Sequence, residues 1–338
     1  MSVAVESERR AGLSLSLVLG VGVADTRPVQ VVVGTGPLGL AVSRELRHKG
    51  EPFRLVSRGG HSKGSAGTEI VVADVSDAAD ARRAFEGASV VYQCAVPRYS
   101  QWPALMPRLM RGVIEGASSV GARLVYSDNF YAYGRVSGPL TENLPYKPVG
   151  RNTRTRAEVA EAVMKANTDG RERATIGRGS DFFGPHALNS SVGERVFGRL
   201  LQGKRAQVLG NPNVPHTVTF LDDFARALIT LGSRDESLGE VWHVPNAETV
   251  PIRRFVELIA EQSGGPPKVQ PTTAWMLAII GLFNPDVRAV REVLYQREEP
   301  WVVDDSKFQR TFGADPTPHA DAIKATLDWF RTQQAGIT

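Results

Sequence analysis

Cysteine occurs once in the 338 residues, at Cys94. A single thiol excludes an internal disulfide and any cysteine-built structural zinc site. It lies in the apolar run 89–96, so a buried inert thiol is expected rather than a nucleophile. Long hydrophobic runs are also missing. The apolar patches 13–24 and 275–283 fall short of the roughly 20 residues a spanning helix needs, and the second reads as a buried or cavity-covering helix. Basic residues form no aromatic-interleaved stripe, and the formal net charge of +4 is modest. Arg9-Arg10, Arg82-Arg83 and Arg253-Arg254 are scattered, so neither nucleic acid nor membrane is expected as a partner. Low-complexity tracts and internal repeats are absent, which excludes solenoids and leaves one large domain or two.

What is present starts at Val31-Val32-Val33, three β-branched residues that read as a buried parallel strand. Gly34-Thr35-Gly36-Pro37-Leu38-Gly39 follows at once, then Val42 and Leu46 at helical spacing from Leu38. In a strand–turn–helix context this is a dinucleotide fingerprint. Gly34 permits the tight turn, Gly36 lets backbone approach a pyrophosphate, and Gly39 lets helix pack on strand. The competing reading is a structural glycine turn with no nucleotide. Further strands are expected at 53–57, 70–73, 88–97 and 123–127, with helices at 78–85 and 104–117 between them. Such alternation predicts an α/β, Rossmann-type doubly wound parallel sheet, with ligand beyond the carboxyl ends of its strands.

The second strand ends in Ser57-Arg58, with His61 and Lys63 beyond. An NAD site places Asp or Glu there to bind the ribose hydroxyls, whereas a guanidinium pairs with a 2′-phosphate. NADP(H) is therefore favoured over NAD(H), the alternative being that Arg58 is an ordinary surface charge. Residues 13–24 after Arg9-Arg10 resemble a signal peptide. A dinucleotide fold draws on a cytoplasmic cofactor pool, so the expectation is a cytoplasmic protein with a poorly ordered leader, 1–27. Residues 28–180 would form the dinucleotide-binding domain and 181–338 a smaller substrate-binding lobe interleaved with it. A homodimer is compatible with the sequence. Asp222-Asp223 reads as a helix cap rather than a metal site, and no metal is expected.

Several stretches in order resemble the extended short-chain dehydrogenase/reductases, the group containing the sugar-nucleotide epimerases and dehydratases. They are the glycine turn, the Ala-Asp-Val-Ser-Asp run at 73–77, the Tyr-Ser-Asp-Asn-Phe-Tyr-Ala-Tyr-Gly run at 126–134, and the Gly-Arg-Gly-Ser-Asp-Phe-Phe-Gly-Pro run at 177–185. A Val-Thr-Phe-Leu-Asp-Asp-Phe-Ala run at 218–225 and the C-terminal segment 304–330 extend the resemblance over roughly residues 28 to 331. It implies cofactor contacts at Gly34, Gly36, Leu38, Gly39, Asp74, Val75, Ala95, Val96, Ser127 and Arg156, beside Arg58. It also implies a substrate pocket in the C-terminal half.

The resemblance breaks where the chemistry belongs. The family uses a Tyr-x-x-x-Lys pair whose lysine lowers the tyrosine pKa. Here alignment on Ala157-Glu158 puts Arg156 in the lysine position and Asn152 in the tyrosine position, with the serine position near Asn129, or Ser127 if the register slips. Arginine does not surrender a proton near neutral pH, and asparagine is no acid. Tyr131 is the first replacement proton donor and Asp181 the second. Phe130, Tyr131, Phe182, Phe183, His186 and His216 are candidate substrate contacts, each with packing as its alternative, as for Trp242 and Trp275. The expected activity is NADP-dependent reduction of a carbonyl or activated alkene of a small-molecule substrate. Non-redox epimerase, dehydratase or cyclase chemistry and a non-enzymatic NADP sensor or scaffold are the alternatives.

Overall fold

The computed structural model describes residues 27–60 and 68–335. The expected leader, apart from Arg27, lies outside them, as do His61 and Lys63. Strand β1 (Val29–Val33) is driven inward by its valines: Val31 and Val32 have no exposed surface. Helix α1 (Pro37–His48) starts on Gly36 in extended backbone with Pro37 at its first position, where a missing N–H costs nothing. It buries Leu40, Ala41, Val42 and Leu46 against the sheet.

Next come β2 (Phe53–Ser57), β3 (Ile70–Val72), α2 (Ala78–Phe85), β4 (Ala88–Gln93), α3 (Trp102–Val120), β5 (Arg123–Asp128), α4 (Arg151–Thr168) and β6 (Arg173–Arg178). Asp77 caps α2 through bonds from the Ala79 and Asp80 N–H groups, as the Ser76-Asp77 signal predicts. Gly121, in left-handed backbone at φ +69°, ends α3. The rest comprises β7 (Asp181–Phe183), α5 (Arg199–Leu201), β8 (Ala206–Leu209), β9 (Pro215–His216), β10 (Val218–Phe220), α6 (Leu221–Ser233), β11 (Val241–His243), β12 (Val250–Pro251), α7 (Ile252–Ser263), β13 (Val269–Thr272), α8 (Ala274–Phe283), α9 (Pro285–Val290), α10 (Ser306–Phe312) and α11 (His319–Ala335).

The central sheet runs β11-β6-β5-β4-β1-β2-β3, and every pairing in it is parallel. It is the expected doubly wound α/β sheet. Its order reverses between β1 and β4, where such sheets open a crevice for ligand. Beyond residue 181 the chain serves two places. β11 and α6 return to the sheet, whereas Phe183, Phe197, Phe220, Phe255 and Phe330 build a second core on β7, β10, α7 and α11. Asp222 and Asp223 sit in the first turn of α6, which Phe220 starts without a side-chain cap. Their carboxylates instead pair with Arg44 and with Arg226 and Thr317.

One buried acid creates a pH dependence. Glu172, just before β6, is 5% exposed; its Oε1 accepts the Arg173 N–H at 2.8 Å and its Oε2 has no partner. Burial pushes its pKa up to about 8. The folded state therefore holds a proton that the unfolded chain releases near its ordinary value. Stability from this group is complete below that value and is lost as pH rises toward about 8. Glu172→Gln keeps the shape and the acceptor. It is expected to stabilise the protein by about 1–2 kcal/mol at alkaline pH and by almost nothing near pH 4, which denaturant titrations at the two pH values check.

Candidate active site

The carboxyl ends of β1, β2, β4 and β5 open on one cavity of about 1280 Å³. The three glycines after β1 differ in what surrounds them. Gly34 has φ +104°, and a Cβ there would stand 2.9 Å from the Ala95 backbone. At Gly39 it would stand 2.0 Å from the Gly34 carbonyl. Packing of strand, turn and helix requires both. A Cβ on Gly36 would meet nothing within 4 Å, and Gly36 lines the cavity. The bare backbone there serves the cavity and not the fold. No side chain caps α1, so its positive end is left to an anion.

Arg58, Asp74, Val75, Ala95, Val96 and Leu38 line the same end. The Asp74 carboxylate accepts the Ser76 N–H at 3.1 Å and hydroxyl at 2.8 Å. The Ser76 bonds, helped by the charge of Arg58, hold its carboxyl below the usual range. An open glycine cradle, an uncapped helix start and a guanidinium at the β2 end suit a phosphate-bearing dinucleotide. Ser127 lines the cavity too, but its hydroxyl donates to the Gln93 carbonyl at 2.8 Å and so ties β5 to β4.

Farther in, Asn129 Oδ1 accepts the Tyr131 N–H at 3.1 Å. The short helical turn Tyr131–Tyr133 follows, and Asn129 lines the cavity. Tyr131 packs against Tyr99 and Trp102, with ring centroids 6.2 and 6.0 Å away. Burial, reinforced by the charge of Asp181, pushes its phenol up to about 12, against the opposite pull of Arg297, the Tyr99 hydroxyl and Arg156.

Arg156 reaches the cavity from α4, beneath the Trp102 ring at 4.2 Å. Its Nη1 donates to the Tyr126 hydroxyl at 2.8 Å and to Asp128 at 3.1 Å, while its buried Nε has no partner. Burial opposes its charge, but Tyr126 and Asp128 hold the guanidinium above its ordinary pKa. Asp128 also accepts Arg178 Nε at 3.0 Å, and Arg178 bonds the Tyr146 hydroxyl at 2.6 Å. Two buried guanidiniums thus share one carboxylate, and the network keeps a net positive charge beside the cavity.

Asp181 lines the cavity from β7. It is ion-paired with Arg297, and its Oδ2 lies 2.8 Å from His216 Nε2. Burial works against ionisation, yet Arg297 and His216 together hold this carboxyl well below the usual range. Asp181 therefore carries no proton at neutral pH, and its expected place as second proton donor is corrected. His216 lies off the cavity wall, 1% exposed, with Nδ1 on the Gln296 carbonyl at 3.0 Å. It reaches the site only through Asp181.

Three other expectations change. Asn152 donates its side-chain N–H to the Tyr99 carbonyl at 2.9 Å and its backbone N–H to Glu292 at 3.0 Å. It anchors the Tyr99 turn and does not face the cavity. Phe183 packs in the second core, 5.0 Å from the Phe255 ring, and His186 packs at a tilt against Trp329 at 4.8 Å; neither lines the cavity. Phe130 and Phe182 do line it. Tyr99, Tyr126, Asp128 and Arg297 went unassigned from sequence. The strand alternation that puts residues 126 and 128 on one face was the available signal for two of them; nothing marked Tyr99, whose buried hydroxyl acts on that of Tyr131.

The far half of the cavity mixes apolar Leu209, Leu277, Val290, Leu294 and Trp301 with polar Asn189, Ser190, Ser191, Gln296, Arg195 and Arg297. Leu277 comes from α8, but that helix is not the buried element its composition predicts. Trp275, Ile279, Leu282 and Phe283 are exposed. Among the described residues, no helix is long and apolar enough to cross a membrane.

Residues 30–244 match the NAD dependent epimerase/dehydratase family, and the chain belongs to it. It is an enzyme of that nicotinamide-nucleotide-dependent group. Sterol-4-alpha-carboxylate 3-dehydrogenase, decarboxylating, of Mus musculus is 25% identical over 276 residues, 77% of this chain and 75% of that protein. The 3beta-hydroxysteroid-dehydrogenase/decarboxylase isoform 2 of Arabidopsis thaliana is 26% identical over 225 residues, 59% of this chain and 38% of that one. Among solved structures, the UDP-glucose 4-epimerase of Thermus thermophilus in complex with NAD aligns at TM-score 0.73 and 17% identity, covering 90% of this chain and 99% of that one. A double mutant of the dTDP-glucose 4,6-dehydratase DesIV of Streptomyces venezuelae, with NAD and DAU bound, aligns at 0.75 and 16%, covering 92% and 98%. At these identities the likeness is one of fold.

Proposed function

We propose that this chain is an NADP-dependent oxidoreductase that reduces a carbonyl or activated alkene of a small molecule. One observation carries the reading: a single cavity joins the Gly36 cradle and Arg58 at one end to Tyr131 and a chamber with both apolar and polar walls at the other. Reduced nicotinamide, when bound, supplies hydride to the substrate carbon. The protein's part is the proton. Tyr131, kept protonated by burial and by Asp181, donates its hydroxyl proton to the oxygen as the C=O π pair becomes an O–H bond. Arg156, Arg297 and the Tyr99 hydroxyl favour the phenolate left behind. Arg156 lends field where relatives carry lysine and takes no part as an acid.

Leu209, Leu277, Leu294 and Trp301 give a lipophilic ketone or enone an apolar wall, and Asn189, Ser190 and Ser191 offer it polar groups. The name of the mouse relative, which acts on a sterol carboxylate, points the same way. Nicotinamide absorbance, followed over a panel of such ketones with NADPH, tests the reading; net oxidation of cofactor on none of them sinks it. The non-redox alternative, which the name of the epimerase fold neighbour favours, predicts substrate conversion with no net absorbance change.

Cofactor choice has its own test. Arg58 lies on the cavity wall and no carboxylate follows β2 directly. Wild-type protein is expected to bind NADPH about 10- to 100-fold more tightly than NADH, and Arg58→Asp to reverse the order. Equal calorimetric affinities in the wild type would refute the assignment.

A further inference from the structure

Helix α3 brings to the cavity a cation with no role so far. Trp102, Leu105, Arg108 and Leu109 all line the wall, and at 100° per residue they fall within about 120° of arc. Gly112 fixes where that strip of the helix lies. A Cβ there would collide with the Val75 carbonyl oxygen, so α3 touches the loop after β3 with bare backbone. Arg108 precedes Gly112 by four residues, within about 40° of the same face and about 6 Å along the axis. That puts Arg108 beside the 74–76 loop, in the half of α3 that lines the cavity. Arg58 comes to the same loop from the end of β2, and the charges of both arginines bear on the Asp74 carboxylate. Both guanidiniums are exposed, and among the described residues neither makes a hydrogen bond or an ion pair.

The charge at this end shows what a second arginine is for. Asp74 is ionised, held so by its two bonds from Ser76. Asp74 and Arg58 alone sum to zero, which leaves no net field to hold a dianion. With Arg108 the sum is +1. Arg98 also lines the cavity, but the carboxylate its charge bears on is Asp286. A phosphate monoester carries three terminal oxygens and about two negative charges at neutral pH. The fork of one guanidinium meets two of those oxygens and cancels one charge. One oxygen and one charge are left for a second cation.

We propose that Arg108 binds the 2′-phosphate of NADP(H) from α3 while Arg58 holds it from β2, so that both arginines set the cofactor preference. The inference rests on the NADP reading of the site and adds to it a second residue from a second element. Val75, Leu105 and Leu109, on the same stretch of wall, then give the adenine apolar surface.

The test is calorimetric titration of the full chain with four probes: NADPH, NADH, adenosine 2′,5′-bisphosphate and adenosine 5′-phosphate. Arg108→Gln is expected to weaken NADPH and the bisphosphate about tenfold and to leave NADH and adenosine 5′-phosphate unchanged. Arg108→Lys keeps the charge without the fork and should lose less. NADPH binding to Arg108→Gln should also fall less steeply with rising salt than binding to the wild type. Equal losses for NADPH and NADH would put the guanidinium on the adenine or the pyrophosphate, and no loss for either would leave it in water. Each of those results overturns the proposal. Wild-type protein with no preference for NADPH overturns the NADP reading itself, and the proposal with it. A wild-type preference that Arg108→Gln does not move overturns this inference alone and leaves the role of Arg58 standing.

Discussion

Gly36→Val is expected to lower the affinity for NADP and NADPH about 100-fold or more while leaving the unfolding temperature unchanged. The two halves of that result come from one geometric fact. Gly36 has φ −74° and ψ 178°, backbone that a β-branched residue adopts readily, and a Cβ there meets no protein atom within 4 Å. The fold does not register the substitution. A pyrophosphate lying on the turn would, because two methyl groups then stand where the backbone must approach it. Crowding of this kind costs about 1–3 kcal/mol or more, and each 1.4 kcal/mol is roughly tenfold in affinity. Gly39→Ala supplies the contrast: its Cβ would stand 2.0 Å from the Gly34 carbonyl, so loss of binding there would come with loss of stability. Calorimetric titration beside thermal unfolding separates the two. Unchanged affinity in Gly36→Val would remove the nucleotide site from the glycine turn.

The parts of this protein that follow from local pattern were legible in the sequence, and the parts that follow from long-range contact were not. Valine runs, glycine spacing and the Ser76-Asp77 start signal each act over a few residues, and each predicts its element. Tyr99 becomes a cavity residue because Asn152, 53 positions later, holds its carbonyl, and no spacing rule reaches across that gap. Asp181 resembled a proton donor while it was seen alone. Arg297 and His216, brought together by the fold, make it a carboxylate at any ordinary pH. Helix α8 misled in the opposite direction, since composition says only that a stretch is apolar. Whether another element covers it is a property of the whole fold.

With Asp181 ionised and Arg156 unable to release a proton, Tyr131 is left as the acid, and Tyr131→Phe is expected to slow carbonyl reduction by roughly 10²–10⁴. The substitution removes one oxygen and keeps the ring against Tyr99 and Trp102, so cofactor affinity and unfolding temperature should hold. The pH dependence gives the argument a second edge. A tyrosine lowered by a neighbouring lysine loses its proton as pH rises through the mildly alkaline range, and reduction fades there. Tyr131, pushed up to about 12, stays protonated throughout that range. Its reduction rate should stay flat with pH, while oxidation of the product alcohol, which needs the phenolate, should climb about tenfold per pH unit without a plateau. Asp181→Asn then separates field from proton. Removing a negative charge that raises the Tyr131 pKa should bring an oxidation plateau into view at lower pH and leave reduction near its starting rate. If Tyr131→Phe reduces at the wild-type rate, the proton comes from elsewhere, and the neighbouring hydroxyl of Tyr99, also on the cavity wall, is the group that inherits the role. A large loss in Asp181→Asn with none in Tyr131→Phe would mean that the carboxyl, not the phenol, handles the proton, and the protonation states argued from Arg297 and His216 would be wrong.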